Sequence, residues 1–269
     1  MAFLGVGRMG EALVSGLIRS GGRTKDEVMV TARRQERTEE LAQKYGVAAS
    51  LSNEEASSWA KTLVLTVKPQ DMNALLAHLE VTPEHLVISF AAGIRTATIE
   101  DRVPDDVPVV RVMSNVPVLV DEALSVISPG SHAEDKHLAV AEEILSNVGR
   151  VIRLSEKHQD AVTATSGSGP AYFALLAEAM IDACILLGLA RDVATDLIVQ
   201  TMFGTAKMLR DTHMHPVEVR EMVTSPGGTT IAAIRHLEQA GVRAAFLNAI
   251  DAARQRSAEL AKGEDAEEV

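Results

Sequence analysis

Seven short β-rich runs are strung along the first 154 residues, "AFLGV" (2–6), "VMVTA" (28–32), "TLVLTV" (62–67), "LVISFAA" (86–92), "VVRVM" (109–113), "LSVIS" (124–128) and "RVIRL" (150–154), with helical periodicity between them. A chain that alternates in this way builds a doubly wound, mainly parallel sheet whose crossover helices cover both faces. After residue 156 no such run occurs, and helical patterns fill 156–164, 169–189, 191–210, 215–223, 228–240 and 242–261. The pattern predicts two domains, α/β over residues 1–155 and all-helical over 156–269, and 269 residues suffice for two cores. Aromatic residues make up only 3%, which favours helices packed on a parallel sheet over a β-sandwich.

Charge narrows the partners. A formal net charge of −11 argues against a nucleic-acid groove or a polybasic membrane surface, since both need concentrated positive potential, and leaves a small molecule as the expected ligand. Cys184 is the single cysteine, so no internal disulfide or cysteine-based metal site is expected; it reads as a buried small hydrophobe. His213 and His215 are close in sequence, but their spacing before Pro216 suits a loop, and no metal is expected. The opening "MAFLGVG" lacks a basic leader and a long apolar segment, so a cytoplasmic location is expected. The most apolar stretch, 170–190, is interrupted by Glu178 and Asp182, and reads as a buried helix with one polar edge; no membrane span is expected. The acidic "KGEDAEEV" at the end has no apolar anchor and reads as a frayed tail.

"GVGRMG" places Gly5, Gly7 and Gly10 between the first strand and the first helix. This spacing suits a dinucleotide: a tight turn, a backbone that approaches the pyrophosphate, and close helix–strand packing, with phosphate on the helix N-terminus. Alone it is weak evidence; at the end of the first strand of an α/β domain it is fairly strong. The second strand ends in "VTARRQER", where an acid would bind a ribose 2′-OH and a basic residue a 2′-phosphate; Arg33 and Arg34 there favour NADP(H), with NADH possible. The competing reading is a solvated first turn of the helix "RRQERTEELAQKYG". The turns "VKPQ" (67–70), "AAGI" (91–94) and "SNVP" (114–117) follow strands and would border the cofactor crevice, although each by itself is an ordinary loop.

In the helical half, "TSGSGPAYF" (165–173) is explained equally well by a helix start with Ser168 as cap and by a ligand approaching bare backbone. "TSPGGTTIAAI" (224–234) says more. Pro226 stops one helix, Gly227 and Gly228 free the backbone, and the next helix opens on N–H groups without internal partners, a suitable seat for a carboxylate. A plain helix–turn–helix with a threonine cap is the alternative.

Taken together, "GVGRMG", "VKP", "AAGI", "RVMSNVP", "SGSGPAY" and "VTSPGGTTIAAI" stand in the order and approximate spacing of the pyrroline-5-carboxylate reductases, which the chain resembles over nearly its whole length. The resemblance implies a Rossmann-type domain followed by an all-helical domain for substrate binding and dimerisation, intertwined with that of a second subunit in a homodimer or an oligomer of dimers. It implies reduction of the C=N bond of 1-pyrroline-5-carboxylate by NAD(P)H to L-proline, the last step of proline biosynthesis. By position, Gly5, Val6, Gly7, Arg8, Met9 and Gly10 would cradle the pyrophosphate, Asn53 would contact the adenosine, and Val67, Lys68 and Pro69 with Ala92 and Gly93 would line the nicotinamide ribose. Ser225, Gly228, Thr229 and Thr230 would bind substrate, backbone N–H groups holding its carboxylate and the Thr230 hydroxyl lying near its ring nitrogen. Where the family commonly has Pro or Thr before Asn115 and Thr after it, this chain has Ser114 and Val116, which puts a side-chain role at 116 in doubt.

Two other readings compete. A β-hydroxyacid dehydrogenase would need a lysine general base early in the helical domain, and Lys157 sits in a solvated-looking helix start. A non-catalytic NADP(H) sensor gives no reason for the "SPGGTT" loop.

Overall fold

The computed structural model describes residues 1–262; the acidic tail lies outside them from residue 263 onward. Eight strands are present among these residues: β1 (Ala2–Leu4), β2 (Met29–Thr31), β3 (Ala48–Ser50), β4 (Thr62–Leu65), β5 (Leu86–Ser89), β6 (Val109–Met113), β7 (Ala123–Pro129) and β8 (Gly149–Arg153). They form one sheet in the order β3-β2-β1-β4-β5-β6-β7-β8. Neighbours are parallel, with Phe3 opposite both Val30 and Val64, except that β6 and β7 are antiparallel, with Met113 opposite Val126. Residues 114–122 are too few for a crossover helix, so the chain can only turn back. β3 was not anticipated: the triplet Ala48-Ala49-Ser50 has neither β-branched residues nor alternation, and it is a strand because it pairs along β2 at the sheet edge.

Helices α1 (Arg8–Ser20), α2 (Gln35–Tyr45), α3 (Asn53–Trp59), α4 (Met72–Leu76), α5 (Thr96–Glu100) and α6 (Asp135–Leu145) connect the strands. Buried side chains alternate along the strands into two cores. Phe3, Val30, Val64 and Ile88 pack with Leu13 and Leu17 of α1 and Leu41 of α2, while Leu4, Leu63, Leu65 and Val87 pack on the other face with Met72, Leu75 and Ile99. Both faces being covered explains why the strands read as near-continuous apolar runs.

The remaining helices are α7 (Gln159–Val162), α8 (Gly169–Leu186), α9 (Arg191–Thr212), α10 (Pro216–Met222), α11 (Thr229–Gln239) and α12 (Val242–Lys262). The compact units do not divide where the strands end. One comprises Met1–Ser168 with the described residues that follow Ala252, the other Gly169–Ala252. The first helical turns belong with the sheet because polar contacts tie them there: Glu156 accepts from the backbone N–H and hydroxyl of Thr96, both at 2.8 Å, and pairs with buried Arg111 at 3.1 Å. Buried Gln159 donates to the Ser128 hydroxyl at 2.8 Å, and Ser257 of α12 donates to Asp160 at 2.8 Å.

Residues 165–168, expected as a non-helical start, are not an open loop. Residues Thr163–Gly167 form a π-turn that Ser168 closes, its N–H on the Thr163 carbonyl at 2.8 Å, so Ser168 ends this turn and gives α8 no side-chain cap. The widened turn leaves the Ser166 carbonyl to accept from Asn115 Nδ2 at 3.2 Å. The helical run 156–186 is long and apolar enough, by length and composition alone, to cross a membrane, which the sequence reading did not expect. Within Gly169–Ala252 only Ala194 and Ile198 among the apolar side chains are buried, whereas Leu186 is 89% and Phe203 59% exposed.

Candidate active site

The strand order reverses at β1, and there the carboxyl ends of β1, β2 and β4 enclose a cavity of about 530 Å³. Gly5, Val6 and Gly7 form its floor, Ala32, Arg33, Arg34 and Arg37 one side, and Thr66, Val67, Lys68, Gln70 and Asp71 the other. The three glycines have three separate reasons. Gly5 has φ +73° and a Cβ there would run into the Val67 side chain. A Cβ on Gly10 would lie 2.6 Å from Thr66 Oγ1, so α1 packs against the end of β4 only without one. At Gly7 nothing lies within 4 Å, which leaves the backbone open to a ligand. Gly7 is also the N-cap of α1 and supplies no side-chain hydrogen bond, so the opening N–H groups keep their capacity for an anion. These features fit a dinucleotide pyrophosphate.

Asn53 does not line the cavity. It anchors a short relay in which Gly5 N–H donates to the Thr31 hydroxyl at 3.0 Å and that hydroxyl donates to Asn53 Oδ1 at 2.6 Å, tying the glycine turn to the end of β2. Arg8 lies in an adjoining hollow of about 320 Å³ with Glu11, Arg19, Lys44 and Tyr45, and Met9 packs on the core. Pro69, Ala92 and Gly93 also lie outside the main cavity. Gly93 is packed beside the backbone of Ala261 near the end of α12.

Gln70 belongs to the turn 67–70 that the sequence places at the crevice, whereas four lining residues carry no assignment from the sequence: Ala32, Arg37, Thr66 and Asp71. Arg37 had a legible signal, since it lies in the first turn of α2, three residues after Arg34 at the N-cap. Thr66 had none, because its function is to donate to the Leu4 carbonyl at 3.1 Å and to fill the space beside Gly10. Arg37 is held by Glu11 and, at 2.8 Å, by Glu40. Burial would push the Glu11 carboxyl up, but hydrogen bonds from Arg37, Lys44 and Tyr45 outweigh it and hold Glu11 at about 2. Arg33 pairs with Asp71 at 2.6 Å.

In the second unit the loop before α11 makes a tight turn, Gly228 N–H donating to the Ser225 carbonyl at 3.1 Å and Gly227 taking φ +69°. A Cβ on Gly228 would strike the Ser225 hydroxyl. Gly228, not a threonine, is the N-cap of α11, and it makes no side-chain capping bond. The opening N–H groups of an eleven-residue helix are thus left to other acceptors. Ser225 and Thr229 are exposed and Thr230 half-buried. Lys157, the general base of a rival reading, is exposed in a 3₁₀ turn.

Comparison with known proteins gives the family. A family profile described as pyrroline-5-carboxylate reductase dimerisation matches residues 156–260, and one described as NADP oxidoreductase, coenzyme F420-dependent, matches residues 1–93. A pyrroline-5-carboxylate reductase of Methanosarcina acetivorans is 44% identical, the match covering 97% of this chain and 98% of that protein, and one of Corynebacterium melassecola is 41% identical with the same coverage. Among solved structures, a pyrroline-5-carboxylate reductase from Coxiella burnetii superposes with a TM-score of 0.90 at 35% identity, covering 96% of this chain and 97% of that one. The Plasmodium falciparum pyrroline carboxylate reductase with NADP bound superposes with a TM-score of 0.86 at 27% identity, covering 97% of each. With identities above 40% over essentially the full length of both partners, the chain belongs to the pyrroline-5-carboxylate reductase family.

Proposed function

We propose that the protein is an NAD(P)H-dependent oxidoreductase that reduces the C=N bond of 1-pyrroline-5-carboxylate to give L-proline, working in the cytoplasm as a homodimer or an oligomer of dimers. A nicotinamide held in the cavity would supply a hydride for the imine carbon of the protonated ring, the C=N π pair becoming the nitrogen lone pair of the secondary amine. The protein's share is alignment, a seat for the carboxylate and exclusion of water, because a protonated imine is already a strong electrophile.

On this reading Gly5, Val6, Gly7, Arg8, Met9 and Gly10 receive the pyrophosphate through backbone N–H groups at the start of α1. Arg33 and Arg34 take the 2′-phosphate, Asn53 supports the adenosine side through Thr31, and Val67, Lys68, Pro69, Ala92 and Gly93 border the nicotinamide ribose. The observation that carries the substrate assignment is the entrance to α11, where a helix of eleven residues opens behind Gly228 with no side-chain cap. There Ser225, Gly228 and Thr229 seat the carboxylate, and the Thr230 hydroxyl, the one catalytic group assigned, orients the ring nitrogen. No metal is assigned.

The test is NADPH oxidation followed by absorbance with 1-pyrroline-5-carboxylate beside 1-pyrroline, which lacks the carboxylate. The expected result is rapid turnover of the first and little of the second, with Thr230→Ala losing more activity than Thr229→Ala while remaining folded. Equal turnover of both imines would remove the carboxylate seat, and full activity in Thr230→Ala would remove Thr230 from the reaction.

A further inference from the structure

The cavity at the carboxyl ends of β1, β2 and β4 is ringed by three guanidinium groups, and they are not equivalent. Arg37 is engaged by Glu11 and Glu40. Arg34 makes no ion pair among the described residues. Arg33 reaches from the turn after β2 to Asp71 in the turn after β4, Nη2 to Oδ2 at 2.6 Å. Because β1 lies between β2 and β4 in the sheet, this pair spans the end of β1, and both partners line the cavity.

The geometry points to Asp71 as a specificity-determining residue: by pairing with Arg33 across the mouth of the cavity it withholds that guanidinium from a ribose 2′-phosphate, and so lowers the preference for NADPH over NADH. The inference rests on the reading of this cavity as the nicotinamide dinucleotide site. Its physical basis is a competition between two anions for one cation. Arg33 is 78% exposed, so its pair with a single carboxylate is weak and exchangeable, whereas a phosphate offers more charge and a geometry that suits a guanidinium fork. With NADPH the pair must open or share its cation; with NADH, which has no 2′-phosphate, it can stay closed. Arg34 is then the cation available from the start, and Arg33 the one whose contribution Asp71 sets.

The test uses the full-length protein and direct binding, with Kd for NADPH and for NADH measured by fluorescence titration at low and high salt. Asp71→Asn keeps the side-chain shape and removes the charge. Its Kd ratio, NADH over NADPH, should rise about two- to fivefold at low salt and less at high salt, with the thermal midpoint almost unchanged. In an Arg33→Ala background the same substitution should leave the ratio where it was. An unchanged ratio in folded Asp71→Asn would overturn the proposal. So would an equal rise in the Arg33→Ala background, since the effect would then be direct repulsion between Asp71 and the phosphate. Failure of the unmodified protein to bind either nucleotide would overturn the cofactor reading itself, and is told apart because it appears before any substitution is made.

Discussion

Glu11 is bound to three side chains at once, Arg37, Lys44 at 2.8 Å and the Tyr45 hydroxyl at 2.9 Å, and thereby ties the first turn of α1 to α2 beside the cavity at the end of β1. Its carboxyl is held at about 2 against an ordinary value of 4.5, so the folded state keeps the charged form where the unfolded chain would take up a proton. A depressed carboxyl stabilises the fold fully above 4.5, and that contribution is lost as the pH falls from 4.5 through about 2. After allowance for solvent screening at the more exposed Lys44, it amounts to about 2 kcal/mol at neutral pH. Glu11→Gln should therefore lower urea stability by about that amount at pH 7, and the gap from the unmodified protein should close as the pH approaches 2. A gap that stays constant across this range would mean that Glu11 acts through packing and not through charge. At this scale the sequence was only partly legible. Arg33 and Arg34 could be placed from the end of a strand, but the Asp71 partner of Arg33 could not, because the pairing depends on a sheet order that brings residues 33 and 71 together.

Among the secondary elements, the β1–α1 turn shows how one motif separates stability from binding. Gly10 faces Thr66 with no room for a methyl group, while Gly7, with φ −95° and ψ −154°, is in a conformation open to any residue and has free space around it. Gly10→Ala should destabilise the protein by about 1–2 kcal/mol, overpacking against Thr66 being partly offset by the better helix propensity of alanine. Gly7→Ala should melt like the unmodified protein yet bind NADPH at least about tenfold more weakly, because the new methyl group stands where the pyrophosphate would approach. Thermal melts and NADPH titration of the two variants check this, and the idea fails if Gly7→Ala binds normally. The elements most legible in the sequence were those buried on both faces, such as Leu63-Val64-Leu65 of β4, where composition and burial coincide. β3 and the π-turn were not legible because each depends on a partner far along the chain, Met29 opposite Ala48 in one case and Asn115 bonded to Ser166 in the other.

For the molecule as a whole, the helical unit presents a folding problem that one chain does not solve. Between Gly169 and Ala252 the buried apolar side chains are Ala194 and Ile198, while Tyr172, Leu175, Leu176, Val242 and Phe246 of α8 and α12 line an open apolar groove of about 330 Å³. Exposed large aliphatic and aromatic side chains in this number cost about 1.5–3 kcal/mol each relative to a covered state, so the surface needs a partner. Lipid would meet the need by composition alone, since the run 156–186 is apolar enough. A second copy meets it more specifically: residues 156–260 match a dimerisation family, and Glu178 and Asp182 would be costly in a bilayer core but tolerable at the edge of a protein interface. The expectation is a stable dimer at micromolar concentration without detergent, measured by analytical ultracentrifugation, and no partition into liposomes. Leu175→Glu combined with Phe246→Glu, which places two carboxylates on facing walls of the groove, should shift the protein to monomer. Activity should fall in step with dimer content, because the turn from Ser225 to Thr230 belongs to the same helical unit and has few buried apolar contacts of its own to hold it. A folded monomer with full specific activity would show that the helical unit works uncovered, and uptake into vesicles in place of dimerisation would assign the apolar surface to lipid.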